Sequence, residues 1–245
     1  MKRLYRFLTI TAWIGLLAIV FVSFGDRENS LEPGSGLNFP ENLNDSPKIT
    51  APDAKVYLID KNESELIVRL YKDGIFSGFA HDHIVISREF SGSVEFDEVD
   101  PTQFKISVEV PAKSIASDLP EIRRKYGLEV LSQKNWKEIN KTMRSSRQLD
   151  IEKYPIVRFS SHSLKRIEGE SFEITGEFTL HGVTKLIAVP VTISVENRIL
   201  KLQGGFSFLQ SDYNIKPFSG ALGTVRNKVE ALLKFEISAS DKNEK

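Results

Sequence analysis

The stretch SFEITGEFTLHGVTKLIAVPVTISV, residues 171–195, decides the fold. Phe172, Ile174, Phe178 and Leu180 alternate with Glu173, Thr175, Glu177 and Thr179. Beyond His181 and Gly182, the residues Ile187, Val189, Val191, Ile193 and Val195 form another apolar face of period two. Successive side chains of a strand point to opposite sides, so each run has one apolar and one polar face, as an antiparallel sheet with one wet side requires.

The same period extends outward from this stretch. Leu66, Val68 and Leu70 share one phase. Ile84, Ile86, Phe90, Val94 and Phe96 share the next, with Ser87, Glu89, Ser91, Ser93 and Glu95 opposite, and Phe104, Ile106, Val108 and Val110 alternate with Lys105, Ser107 and Glu109. Downstream come Leu200, Leu202, Phe206 and Phe208, then Val229, Ala231, Leu233, Phe235 and Ile237. With short strands near 56–60 and 156–161 the count reaches about nine, and no βαβ alternation separates them. Such strands cover their apolar faces by closing into a barrel or stacking as a sandwich. Strands of about ten or more residues within 83–97 and 185–209 exceed the usual length and favour the barrel, which when wide leaves an apolar cavity.

One interruption lies between about 113 and 153. Ser117-Asp118-Leu119-Pro120-Glu121 reads as a helix start with a capping residue and an early Pro. Trp136, Ile139 and Met143 fall at helical spacing among Lys134, Lys137, Lys141 and Arg144. One amphipathic helix, or two short ones, is expected to lie across the barrel. Its basic side is either a solvated face or a contact for anionic headgroups.

At the N-terminus, Lys2, Arg3 and Arg6 precede the mostly apolar residues 7–24. As a helix this segment spans ~27 Å at ~1.5 Å per residue, near the thickness of a bilayer core. It reads as a secretory signal or a membrane anchor, and the flanking charges place the rest of the chain outside the cytoplasm. Residues 26–52, rich in Pro, Gly, Asn, Ser and acidic side chains, read as a disordered linker. The expected organisation is therefore 1–25 signal or transmembrane anchor, 26–52 linker and 53–240 barrel. The fold class is all-β: an extended antiparallel β-barrel with one inserted helical segment, preceded by an N-terminal hydrophobic helix.

Composition excludes several functions. The chain has 33 basic and 33 acidic side chains, so no global field favours nucleic acid. It has no Cys, which removes disulfides, thiol nucleophiles and thiolate metal sites. No Gly-x-Ser-x-Gly, phosphate-binding loop or dinucleotide fingerprint occurs, and no cofactor is implied. His81 and His83, two apart, would point the same way on a strand and could begin a metal site in a metal-binding protein or metal-dependent enzyme. Of the other two His residues, His162 and His181, the latter is expected outside the barrel.

Several strings spread over residues 55–238 carry a family resemblance. They are Tyr57-Leu58-Ile59-Asp60, Ala80-His81-Asp82-His83, the run from Phe90 to Asp97, the run from Lys153 to Ser161, and the run from Ile174 to Lys185 containing Leu180-His181-Gly182-Val183-Thr184. Together they resemble the YceI-like domain family, whose members resemble lipocalins in having an elongated antiparallel barrel, one that holds a long isoprenoid-type lipid. Many relatives carry an Arg-Asp-x-His-Leu run before a Phe-Phe-Asp between 118 and 150, where this chain has the run from Met143 to Asp150. The Ala-His-Asp-His string resembles one subgroup.

The resemblance implies an extracytoplasmic, periplasmic lipid-binding protein rather than an enzyme. Its partners would be a long isoprenoid or other apolar lipid and, through residues 7–24, the inner membrane. The residues expected to wall the ligand are Phe96, Phe104, Phe172, Phe178, Phe206, Phe208 and Phe235, all in the inward phase. A filled Phe-rich core has the same pattern. Each buried methylene of a ligand contributes roughly 0.8 kcal/mol, so a prenyl chain can bind tightly without a polar contact.

Overall fold

A computed structural model describes residues 54–75, 78, 81–220 and 225–242. The expected signal or anchor and the whole of the expected linker lie outside them. No helix among the described residues is long and apolar enough to cross a membrane.

The strands are β1 (Lys55–Ile59), β2 (Glu65–Asp73), β3 (His83–Ser87), β4 (Ser91–Phe96), β5 (Lys105–Pro111), β6 (Ile115–Ser117), β7 (Ile156–Glu168), β8 (Ser171–Leu180), β9 (Val183–Glu196), β10 (Ile199–Leu209), β11 (Ser219–Gly220) and β12 (Val225–Asp241). Two helices, α1 (Pro120–Lys125) and α2 (Gln133–Arg144), separate β6 from β7. All pairings are antiparallel, and β1 pairs both β4 and β12, which closes the sheet. Three staves are built in two pieces each: β1 with β2, β3 with β4, and β5 with β6. The result is an eight-stave antiparallel barrel.

The hairpin between β8 and β9 shows how local sequence sets register. Leu180 pairs with Val183, leaving His181 and Gly182 as a two-residue turn with φ of 51° and 73°. Both φ angles are positive, the condition of a type I′ turn, whose twist matches the flanking strands. The Tyr154 ring packs against Gly182 so closely that a Cβ there would collide with its Cε1 and Cδ1. The strings around Tyr154 and His181, far apart in sequence, therefore meet in one contact, with the two rings 4.3 Å apart. His181 is thus in a turn rather than simply outside the barrel, and its Nδ1 lies 3.0 Å from the Tyr213 carbonyl oxygen.

Two expectations are corrected. Residues 83–97 do not keep one phase, because the stave bends between β3 and β4. In β3 the register sets Val85 opposite Val68 and Ser87 opposite Leu66, and all four line the interior. Ile84 and Ile86 instead join Ile67 and Ile122 in a separate core between the barrel wall and α1. The apolar outer face exists because a helix covers it, and Ser87 faces inward. The second correction concerns Asp118. It does not cap α1, whose N-cap is Leu119 with no side-chain cap bond, and its carboxylate is turned into a buried network.

Helix α2 closes a gap in the wall. β7 pairs with β5 but not with β6, so one edge of β6 lacks a strand neighbour. Asn140 supplies the missing bonds. Its Oδ1 accepts from the Ser117 amide at 2.9 Å and its Nδ2 donates to the Ser117 carbonyl at 3.0 Å. Trp136 Nε1 donates to the same carbonyl, and Arg144 donates to Ile115. The buried backbone is thereby satisfied by side chains where no strand reaches.

Candidate functional site: an apolar cavity in the barrel

The barrel is packed solid at one end and hollow toward the other. At the solid end Phe96 lies edge-on to both Phe104 and Phe172, with ring centroids 6.2 and 6.4 Å apart. Tyr57, Val94, Ile193 and Leu200 fill the space beside them. Three of the seven Phe expected to wall a ligand are therefore set in core packing.

The other four line the hollow part. One cavity of about 140 Å³ is bounded by Leu66, Val68, Leu70, Val85, Met143, Leu149, Phe178, Leu180, Phe208, Ile215 and Leu233, with Ser87, Gln148 and Gln210 among its few polar neighbours. A second, of about 100 Å³, is bounded by Ile106, Val108, Phe159, Ile174, Val189, Phe206, Phe235 and Ile237, with Arg158 its one charged neighbour. The two share Leu66, Val110, Val157, Phe178 and Leu233. Phe178 stands at that junction, edge-on to Phe206 at 5.4 Å and to Phe208 at 5.8 Å.

The hollow has a local cause. β9 and β10 pair only between residues 191–196 and 199–204, so beyond Gly204 the two staves part. A short 3-10 turn at Gln210–Tyr213 fills that breach. Tyr213 is 1% exposed and packs on Phe178 and Phe208. Burial, with the Asp212 charge nearby, pushes its hydroxyl up to about 12, so the plug stays neutral. Leu149 and Ile215 complete this wall; neither was singled out in the sequence.

A third recess, of about 170 Å³, adjoins the first cavity through Leu70, Val85, Met143 and Gln148. It is more polar, with His83, Ser117, Glu138, Thr142 and Asn227 in its wall. His83 reaches it from β3, and its Nδ1 lies 2.7 Å from Asp118 Oδ2. Asp118 also accepts from Ser117 Oγ at 2.6 Å, from the Ile84 amide at 3.2 Å and from Arg123 Nη1 at 2.5 Å. Burial works to raise this carboxyl, but the hydrogen bond and charge of His83, with Ser117 and Arg123, hold it below its ordinary value. Arg123, itself 1% exposed, also donates to the Asp82 carbonyl and to that of Glu129.

His81 and His83 are not brought together as metal ligands. Among the described residues no group of three or more His, Cys, Asp or Glu could hold a metal ion. His162 faces Glu177 on the outer surface, 3.6 Å away.

Comparison with known proteins agrees with this architecture. Residues 57–239 match the model of the YceI-like domain. A UPF0312 protein of Photorhabdus laumondii is 32% identical over 146 residues, covering 55% of this chain and 65% of that protein. Protein YceI of Salmonella arizonae is 32% identical over 109 residues, covering 44% and 46%. The chain thus spans less than two thirds of the length of these curated relatives. BcnA of Burkholderia cenocepacia shares the fold at a TM-score of 0.58 and 18% identity, over 74% of this chain and 99% of that one. With the family model spanning the barrel from β1 to β12, the chain belongs to the YceI-like domain family.

Proposed function

We propose that the protein is an extracytoplasmic binding protein that holds a long isoprenoid or acyl chain inside its barrel. The observation that carries this reading is the pair of adjoining cavities, walled almost wholly by aliphatic and aromatic side chains and joined at Phe178. A void lined by apolar groups stays dry and takes up apolar ligands. Among the described residues no cluster could hold a metal ion, and sequestration needs none. The N-terminal apolar segment supports a location outside the cytoplasm, tethered to or exported across the inner membrane.

The test is to fill the cavity without adding a charge. Leu233 borders both voids, so Leu233→Trp places an indole in empty space. Titration of the full-length protein with a fluorescent polyene fatty acid should show saturable uptake in the parent and a loss of more than about tenfold in the variant, with the thermal melt retained. Equal uptake by the two proteins would place the ligand elsewhere.

A further inference from the structure

The polar recess says what stands at the end of the ligand's chain, and this inference rests on the lipid-binding reading above. His83 is held by a network with few degrees of freedom. Asp118 is wholly buried and is also paired with Arg123. A carboxylate only accepts, so Nδ1 of His83 carries the proton directed at Asp118. In the neutral ring this leaves Nε2 as a fixed lone-pair acceptor. No partner for Nε2 occurs among the described residues, and His83 lines the recess. Glu138 adds a second acceptor at the rim, and no Lys or Arg belongs to the lining.

We infer that the recess receives a neutral, hydroxyl-bearing headgroup, so that the ligand is a long-chain alcohol whose O–H donates to His83 Nε2. Its chain passes Leu70, Val85 and Met143, which the recess shares with the apolar cavity. A phosphate at the same place would face the Glu138 carboxylate and an imidazole lone pair, with no cation in the wall to offset either. The same barrel therefore discriminates between an alcohol and its phosphate ester.

The experiment is displacement of the fluorescent fatty acid from the full-length protein at about pH 8 by geranylgeraniol, its methyl ether and geranylgeranyl phosphate. One net hydrogen bond corresponds to about a fivefold difference, so geranylgeraniol should bind about fivefold more tightly than the ether, with the phosphate weakest. In His83→Asn the amide still donates to Asp118 but nothing stands where Nε2 was. Geranylgeraniol should fall to the level of the ether while the ether is unchanged. Glu138→Gln, at the exposed rim, should improve the phosphate relative to the alcohol and serves if His83→Asn does not fold. Equal binding of alcohol and ether by the parent, or preference for the phosphate, overturns the headgroup inference and leaves the cavity reading standing. Failure of all three compounds to displace the bound fatty acid likewise overturns the headgroup inference, whereas failure of the fatty acid itself to bind refutes the cavity reading.

Discussion

Asp118 and Arg123 form an ion pair hidden from solvent: Nη1 lies 2.5 Å from Oδ1, with side-chain exposures of 2% for Arg123 and 0% for Asp118. The pair ties β3, the end of β6, α1 and the segment after it into one unit. It does so at a residue of φ 58°, a left-handed conformation that Asp tolerates better than most. Removing one partner of such a pair leaves a buried charge uncompensated, at a cost of about 3–5 kcal/mol. Asp118→Ala should lose stability of that order in urea denaturation, and a loss below about 1 kcal/mol would show that Arg123 is not held by this carboxylate.

The same carboxyl makes stability depend on acid. Its folded value lies below the unfolded value, so the stabilisation is complete above roughly pH 4 and is lost as pH falls through the folded value. Thermal melts of the parent and of Asp118→Asn should therefore differ most near neutrality and converge as pH falls toward about 2. A gap independent of pH contradicts the assignment.

Gly182 should not accept a side chain. At φ 73°, with Tyr154 against it, Gly182→Ala combines backbone strain with a clash and should destabilise by more than about 1 kcal/mol. Tyr154→Ala in the same chain removes the clash but not the strain. The double-mutant cycle should accordingly show a coupling of at least about 0.5 kcal/mol, and simple additivity would mean that the ring moves aside freely.

Asn140 acts as a surrogate for a neighbouring strand. Asn140→Asp keeps an acceptor for the Ser117 amide but replaces the donor to the Ser117 and Trp136 carbonyls with a second oxygen. The expected loss is about 1–3 kcal/mol, and hydrogen exchange should localise it to faster opening at Ser117. Unchanged exchange there would refute the edge-covering role.

The strands were legible because period-two alternation requires only one covered face. Val94, Phe104, Ile106, Phe172, Ile174 and Leu202 are buried in the phases expected of them. What alternation cannot tell is which cover a face has. Ile84 and Ile86 sit under a helix rather than in the barrel interior, and a bend of a few residues between β3 and β4 reverses the inward phase without leaving a mark in composition. Asp118, beside a Pro, has the local signature of a helix cap, while its actual partners His83 and Arg123 are chosen by tertiary structure. The cavity follows from where β9 and β10 part, and Gly204-Gly205 interrupts the apolar phase there without saying that the neighbouring stave departs. Leu149, Ile215 and Tyr213 lie outside the alternating runs and so gave no signal as site residues.

The central claim, a long apolar ligand inside the barrel, is tested most directly by organic extraction and mass spectrometry of the full-length protein purified from its own host. The account predicts one long-chain apolar lipid at close to one molecule per chain, strongly depleted in Leu233→Trp purified in parallel. Recovery of only trace lipid from the parent protein, or the same lipid at the same stoichiometry from the filled variant, would contradict it.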